Sequence, residues 1–157
     1  MSSFFLRLFP MHCRCVFCRI VRGDVPSHRI YEDERTLAFL DIHPCAPGHT
    51  LIIPKAHVAR VEDLREEDAE ALFGTLHRLA GPIQAAVGAP SSTIGINNGP
   101  ESGQEILHVH IHVIPRFRGD RGGIIQGIAG GGLRPNGTEM ARIAESIRHL
   151  ALDEEDA

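Results

Sequence analysis

Residues His108-Val109-His110-Ile111-His112 alternate an imidazole with a β-branched side chain, and Val113-Ile114 extend the run. Successive side chains of a strand point to opposite faces, so the three histidines share one face while Val109, Ile111 and Val113 share the other. The pattern predicts a strand over Leu107 to Ile114, with one face turned to a core and the other to a site. Neighbouring histidines on it stand about 7 Å apart by strand rise. A lone histidine on a strand is ordinarily structural, but three in register have no comparable packing explanation. Imidazole suits displacement at phosphorus because it is partly neutral near pH 7, nucleophilic, and departs readily from a phosphorus–nitrogen bond. The middle residue, His110, is the candidate nucleophile. His112 and the backbone of Gly103 to Glu105 are the candidate donors to the non-bridging oxygens, where transition-state charge gathers.

Around this strand the sequence reads as α+β. His28 to Tyr31, Thr36 to Leu40, Thr50 to Ile53 and Ser92 to Ile96 have strand character, punctuated by Glu32-Asp33-Glu34, Pro44 to Gly48 and the polar loop Asn97-Asn98-Gly99-Pro100. Gly23-Asp24 before Pro26 predicts a turn. From Asp63 the apolar period becomes helical through Ala69, Leu72, Phe73, Leu76, Leu79, Ala80 and Ile83. Asp63 with Glu66 suits a capping arrangement, and Gly81-Pro82 is expected to kink or interrupt this helix. A second helical pattern covers Glu139 to Leu150, with Met140, Ile143, Ala144, Ile147 and Leu150 on its apolar face. The glycine-dense stretch 119–132 reads as a surface loop, since a phosphate cradle would need a strand before it and a helix immediately after.

The chain of 157 residues suits one domain, expected over 12–150, with 1–11 a disordered extension, or a start assigned too early ahead of Met11, and 151–157 an acidic tail. A net charge of -4 disfavours a polynucleotide partner, which a basic surface would serve, but not a small nucleotide. No run approaches the roughly 18 apolar residues of a membrane span. Three of the 4 cysteines crowd into Cys13-Arg14-Cys15-Val16-Phe17-Cys18, with Cys45 apart. That is a poor disulfide framework and suits a reducing, cytoplasmic compartment.

His108 to Ile114 followed by Pro115-Arg116 resembles the signature of the histidine triad family, with Gly103-Gln104 upstream in the expected place. Cys15-Val16-Phe17-Cys18-Arg19-Ile20, Asp41-Ile42-His43-Pro44, Ala46-Pro47-Gly48-His49 and Ile53-Pro54-Lys55-Ala56-His57 follow the family's order. The resemblance implies a bent antiparallel sheet of about five strands with one long helix packed on it and a C-terminal helix. A homodimer that continues the sheet is also implied. By the family's pattern His110 is the nucleophile, His112 contacts the attacked phosphate, Asp41 holds the ribose hydroxyls and Ile42 lines the base pocket. Asn97 and the Gly103-Gln104-Glu105 segment bind the phosphate and the leaving-group side. Glu105 departs from relatives with a hydroxyl there, and a carboxylate repels anionic leaving groups and welcomes amines. Relatives that transfer nucleotidyl groups carry glutamine where this chain has His112, which favours hydrolysis.

The implied activity is hydrolysis of nucleoside 5′-phosphoramidates or dinucleoside polyphosphates, with a purine nucleotide or its conjugate as ligand. A nucleotide sensor or adaptor with little catalysis is the alternative from another class. Cys15 and Cys18 at C-x-x-C spacing can supply two thiolates to zinc, which then needs two further ligands. Resemblance to zinc-containing bacterial members points to His49 and His108, giving a closed, structural site with no metal required for the chemistry. Two alternatives stand beside it: buried thiols without metal, and a catalytic zinc held by the three strand histidines, which would make water the nucleophile.

Overall fold

The computed structural model describes residues 14–128 and 134–153. The expected extension over 1–11, Cys13, and the tail from residue 154 lie outside the described residues. The chain divides between Gly122 and Gly123 into two compact units. The first unit opens with α1 (Val16–Arg22), followed by β1 (Arg29–Glu32), β2 (Thr36–Leu40) and β3 (Thr50–Pro54). It continues with α2 (Glu66–Val87), β4 (Ser91–Gly95) and β5 (Ile111–Arg116). The five strands form one antiparallel sheet in the order β1-β2-β3-β5-β4.

Every residue of β3 and all but the last of β2 are buried, because helices cover both faces of these strands. On one face Ala38, Ile52, Val109, Ile111 and Val113 pack with Leu72 and Ile83 of α2. On the other, Leu37, Phe39, Leu51 and Ile53 pack with Phe17 and Ile20 of α1. Alternation along two adjacent strands thus feeds two cores, and the histidines lie on the α1 side.

Helix α1 was not expected from the sequence, and the turn expected at Gly23-Asp24 follows it. Phe17 and Ile20, one helical turn apart, bury its inner face, and Gly23 ends it at φ 83° with its N–H on the Ile20 carbonyl. Helix α2 differs from expectation at both ends. Its N-cap is Arg65, and Asp63 closes a preceding 3-10 turn, so the Asp63–Glu66 capping arrangement does not form. Near its end α2 runs on through Pro82, which is exposed, so that solvent can satisfy the Arg78 carbonyl left without its usual donor. The ladder of β5 starts at Ile111, later than Leu107, although the facing of Val109 and the histidines follows the alternation.

The second unit carries a 3-10 turn at Ile125–Gly127 and helix α3 (Gly137–Asp153). The helix therefore includes the first residues assigned to the acidic tail. Asn136 caps it, its Oδ1 accepting the Glu139 N–H at 3.0 Å while Glu139 Oε2 accepts the Asn136 N–H at 2.9 Å. Met140, Ile143, Ile147 and Leu150 are exposed.

Candidate functional site

The three histidines do not converge on one point, and their hydrogen bonds show why. His108 is wholly buried and its Nε2 lies 2.8 Å from the Pro54 carbonyl. A carbonyl only accepts, so Nε2 carries the proton and Nδ1 holds a lone pair. That Nδ1 faces Cys15 Sγ at 3.5 Å, Cys18 Sγ at 3.6 Å and His57 Nδ1 at 3.3 Å. His57 Nδ1 is in turn 3.2 Å from Cys18 Sγ. Tetrahedral zinc with Zn–S near 2.3 Å and Zn–N near 2.05 Å has S···N edges of about 3.5 Å and N···N edges of about 3.3 Å. The four side chains therefore form a donor set that fits such an ion.

His49, assigned to the metal from the sequence, does not belong to this group; His57 stands there instead. The register explains it. Thr50 pairs with Val113, Leu51 with His112 and Ile52 with Ile111, so each step forward on β3 is a step back on β5. His49, before β3, falls at the His112 end of β5, while His57, beyond β3, falls at the His108 end where α1 brings the cysteines. The catalytic-metal alternative also fails on geometry, since His108, His110 and His112 face three different sets of partners.

His110 Nδ1 lies 2.7 Å from the His108 carbonyl, which fixes the proton on Nδ1 and leaves the Nε2 lone pair free in the neutral ring. The ring is packed edge-on by Phe17, with centroids 5.2 Å apart, and lies 4.9 Å from the His112 ring. His112 has the opposite tautomer. The Cys45 N–H donates to His49 Nδ1 at 3.1 Å, so the proton of His49 sits on Nε2, which faces His112 Nδ1 at 2.9 Å. His112 Nδ1 then accepts, and its Nε2 is a donor. Asp41 Oδ2 is 3.7 Å from His49 Nε2, and Asp41 Oδ1 accepts the His43 N–H at 2.8 Å. Burial, followed by the neighbouring His110 and His49 rings, pushes the His112 pKa down to about 4. Burial likewise lowers that of His49, against the pull of Asp41. Above pH 6.5 His112 is thus a neutral donor, hydrogen-bonded to His49, with the Asp41 carboxylate beside the pair at 3.7 Å. A metal on His49 Nε2 would need its proton moved to Nδ1, against the Cys45 N–H.

His110 and His112 open on a cavity of about 510 Å³ with Asp41, Ile42, Asn97, Gly103 and Glu105 also in its lining. Its apolar wall is Phe17, Ile20, Phe39 and Leu51, supplied by α1 and the sheet face beneath it. Sequence reasoning missed this wall with α1 itself; the signal was the Phe17/Ile20 spacing before Gly23. Gln104 is brought to the same loop but not to the cavity lining. Its Oε1 accepts the Gly99 N–H at 2.8 Å and its Nε2 donates to the carbonyls of Ala59 and Ile106 at 2.8 and 3.1 Å. With its side chain so engaged, Gln104 shapes the loop that presents Gly103, at φ 90°, and Glu105. The arrangement can bring a phosphate before a free imidazole nitrogen with an N–H donor beside it.

The sequence matches the HIT domain family over residues 22–119, more than half of the chain. It is 39% identical over 113 residues to an adenosine 5′-monophosphoramidase of Saccharomyces cerevisiae, covering 72% of this chain and 68% of the relative. To an adenylylsulfatase of Arabidopsis thaliana it is 41% identical over 106 residues, covering 68% of this chain and 54% of the relative. A Zn-bound histidine triad family protein from Mycobacterium smegmatis superposes with a TM-score of 0.65 at 42% identity, over 69% of this chain and 78% of the other.

Proposed function

Because the chain belongs to the HIT domain family, we propose that it hydrolyses nucleoside 5′-monophosphate derivatives, phosphoramidates or dinucleoside polyphosphates, through a nucleotidyl intermediate on His110. The observation that carries this reading is the pair of opposed tautomers: an Nε2 lone pair on His110 beside an Nε2–H on His112, both lining one cavity. The nucleoside occupies the apolar wall, with Asp41 holding the ribose hydroxyls and Ile42 against the base. As the bond from His110 Nε2 to phosphorus forms, the bond to the leaving group breaks, and charge grows on the non-bridging oxygens. His112 Nε2–H and Asn97 donate to them, while the Gly103 N–H is given to the Pro100 carbonyl at 3.0 Å and holds the loop beside the phosphate. Water then attacks the adduct, releasing the nucleoside monophosphate and freeing His110.

Zinc is assigned to Cys15, Cys18, His57 and His108, where it would act structurally, since four protein ligands leave no position for water. No step of the chemistry runs through it. Homodimerisation is part of the same reading; the exposed Phe73 and Ile94 and the place of β4 at the sheet edge among the described residues support it, and a monomer mass by light scattering at micromolar concentration would count against it. Among the described residues no helix is long and apolar enough to cross a membrane.

The test is intact mass spectrometry after rapid mixing with an adenosine 5′-phosphoramidate, on the wild type and His110→Ala. A transient nucleotidyl adduct on the wild type alone is expected, with turnover in the variant reduced by at least about 10³-fold. Unchanged turnover in His110→Ala would overturn the mechanism. Binding without turnover in both proteins would favour the sensor.

A further inference from the structure

Among the described residues, Ser27 Oγ is the one side-chain polar atom that is buried without a hydrogen-bond partner. Buried hydroxyls ordinarily find a partner, because an unmade bond leaves the cost of desolvation uncompensated. The backbone shows where this hydroxyl sits. Arg29 pairs with Phe39, and the His28 carbonyl accepts the Leu40 N–H at 3.0 Å, so Ser27 falls opposite Asp41 just before β1. Residues two apart on an extended segment share a face. Arg29 is turned to the α1 side, where its guanidinium bonds the Ile20 carbonyl, and Ser27 is therefore turned there as well. That is the side of the nucleotide cavity, and Ser27 is part of its lining. Little else at this end suits a polar ligand. Val25, Pro26, Phe39 and Ile42 are apolar, Asp41 holds the His43 N–H and is assigned to the ribose, and His43 is exposed.

We propose, resting on the nucleotide site of the reading above, that Ser27 reads the nucleobase: its hydroxyl bonds one polar atom on the edge of a purine seated against the apolar wall. Serine turns about a single side-chain torsion with staggered positions, so the hydroxyl is redirected easily. It can donate and accept, and so serves a ring nitrogen or an exocyclic amine. In the empty protein the hydroxyl has no partner, and the base supplies one. The bond is therefore gained on binding, with no bond inside the protein given up for it. An apolar wall alone holds any flat ring of the right size, whereas a buried hydroxyl favours the ring that meets it.

The experiment measures Kd by titration calorimetry for AMP and for analogues that each lack one polar atom of the base edge: 1-deaza-, 3-deaza- and 7-deaza-AMP, and purine riboside 5′-monophosphate. Wild type and Ser27→Ala are compared. One analogue should bind the wild type about tenfold more weakly than AMP does. That analogue and AMP should bind Ser27→Ala alike, both about tenfold more weakly than AMP binds the wild type. Ser27→Ala should also raise the Tm of the ligand-free protein by about 3 °C, because it removes an unpaired buried hydroxyl. A hydroxyl that served only the fold would lower the Tm instead. Unchanged AMP affinity in Ser27→Ala, coupling to none of the deleted base atoms, or a lowered Tm would overturn the assignment and leave the hydrolase intact. Coupling in Kd without turnover of an adenosine 5′-phosphoramidate would sustain the assignment and overturn the hydrolase reading. A wild type that binds no AMP would overturn both.

Discussion

The Cys15/Cys18/His57/His108 group and the Asp41/His49/His112 group each set two histidines beside ionisable side chains with their ligand atoms within 4.8 Å, yet they are prepared for different work. In the first, the Pro54 carbonyl takes the proton of His108 Nε2, so a lone pair points inward at two thiols and a second imidazole. In the second, the Cys45 N–H takes the lone pair of His49 Nδ1, so an N–H points inward at His112. One backbone acceptor makes a ligand set, and one backbone donor makes a hydrogen-bonded pair. A list of nearby histidines and cysteines does not distinguish these; the protein atoms behind each ring do.

The comparison can be broken most forcefully through the metal. Cys15→Ala with Cys18→Ala should abolish bound zinc, measured by elemental analysis, and lower the Tm by on the order of 10 °C. The next effect separates the two groups directly. His49→Ala should retain zinc but lose about 10- to 100-fold in kcat, whereas His57→Ala should lose zinc and keep most of its kcat per folded molecule. The reverse pattern would exchange the assignments.

Acid sharpens the contrast at smaller scale. The folded-state pKa of His112 is depressed to about 4 and that of His49 is lowered, so the unfolded chain binds more protons between pH 6.5 and 4. Stability from these two rings is complete above pH 6.5 and declines as pH falls toward 4. Denaturant midpoints taken across that range should fall in the wild type and fall less in His49→Ala. The smallest expected effect is on Cys45→Ser, which leaves the backbone donor in place: zinc content unchanged and turnover within about twofold, by the same assays. A large loss there would mean that the thiol, not the amide, supports His49.

The histidine face and the apolar face behind it were legible because period-two alternation survives whether or not every residue enters a ladder; Val109 is buried in the core although β5 begins at Ile111. The order of the five strands with α2 and α3 was legible for similar reasons. The exchange of His49 for His57 was not, because both flank β3 and only the antiparallel register decides which end of β5 each one meets. The apolar wall was missed with α1, whose seven residues hold a single buried turn. The passage of α2 through Pro82 depends on that residue's exposure, which spacing does not encode. For Gln104 the residue was found but not its partners, since a buried amide spent on three backbone groups looks, in sequence, the same as one spent on a ligand.

The carbonyl of His108 that holds His110 belongs to the main chain, while the imidazole of His108 belongs to the thiol group. Two inheritances therefore pass through one position on separable channels. Descendants could exchange the side chain at 108 for one of similar bulk, shed the cysteines with it, and still aim the nucleophile, because the carbonyl comes from the main chain whatever the side chain, and only proline would lose the N–H that bonds the Ile106 carbonyl at 2.8 Å. Loss of the metal anchor and loss of the chemistry would then be independent events in such a lineage.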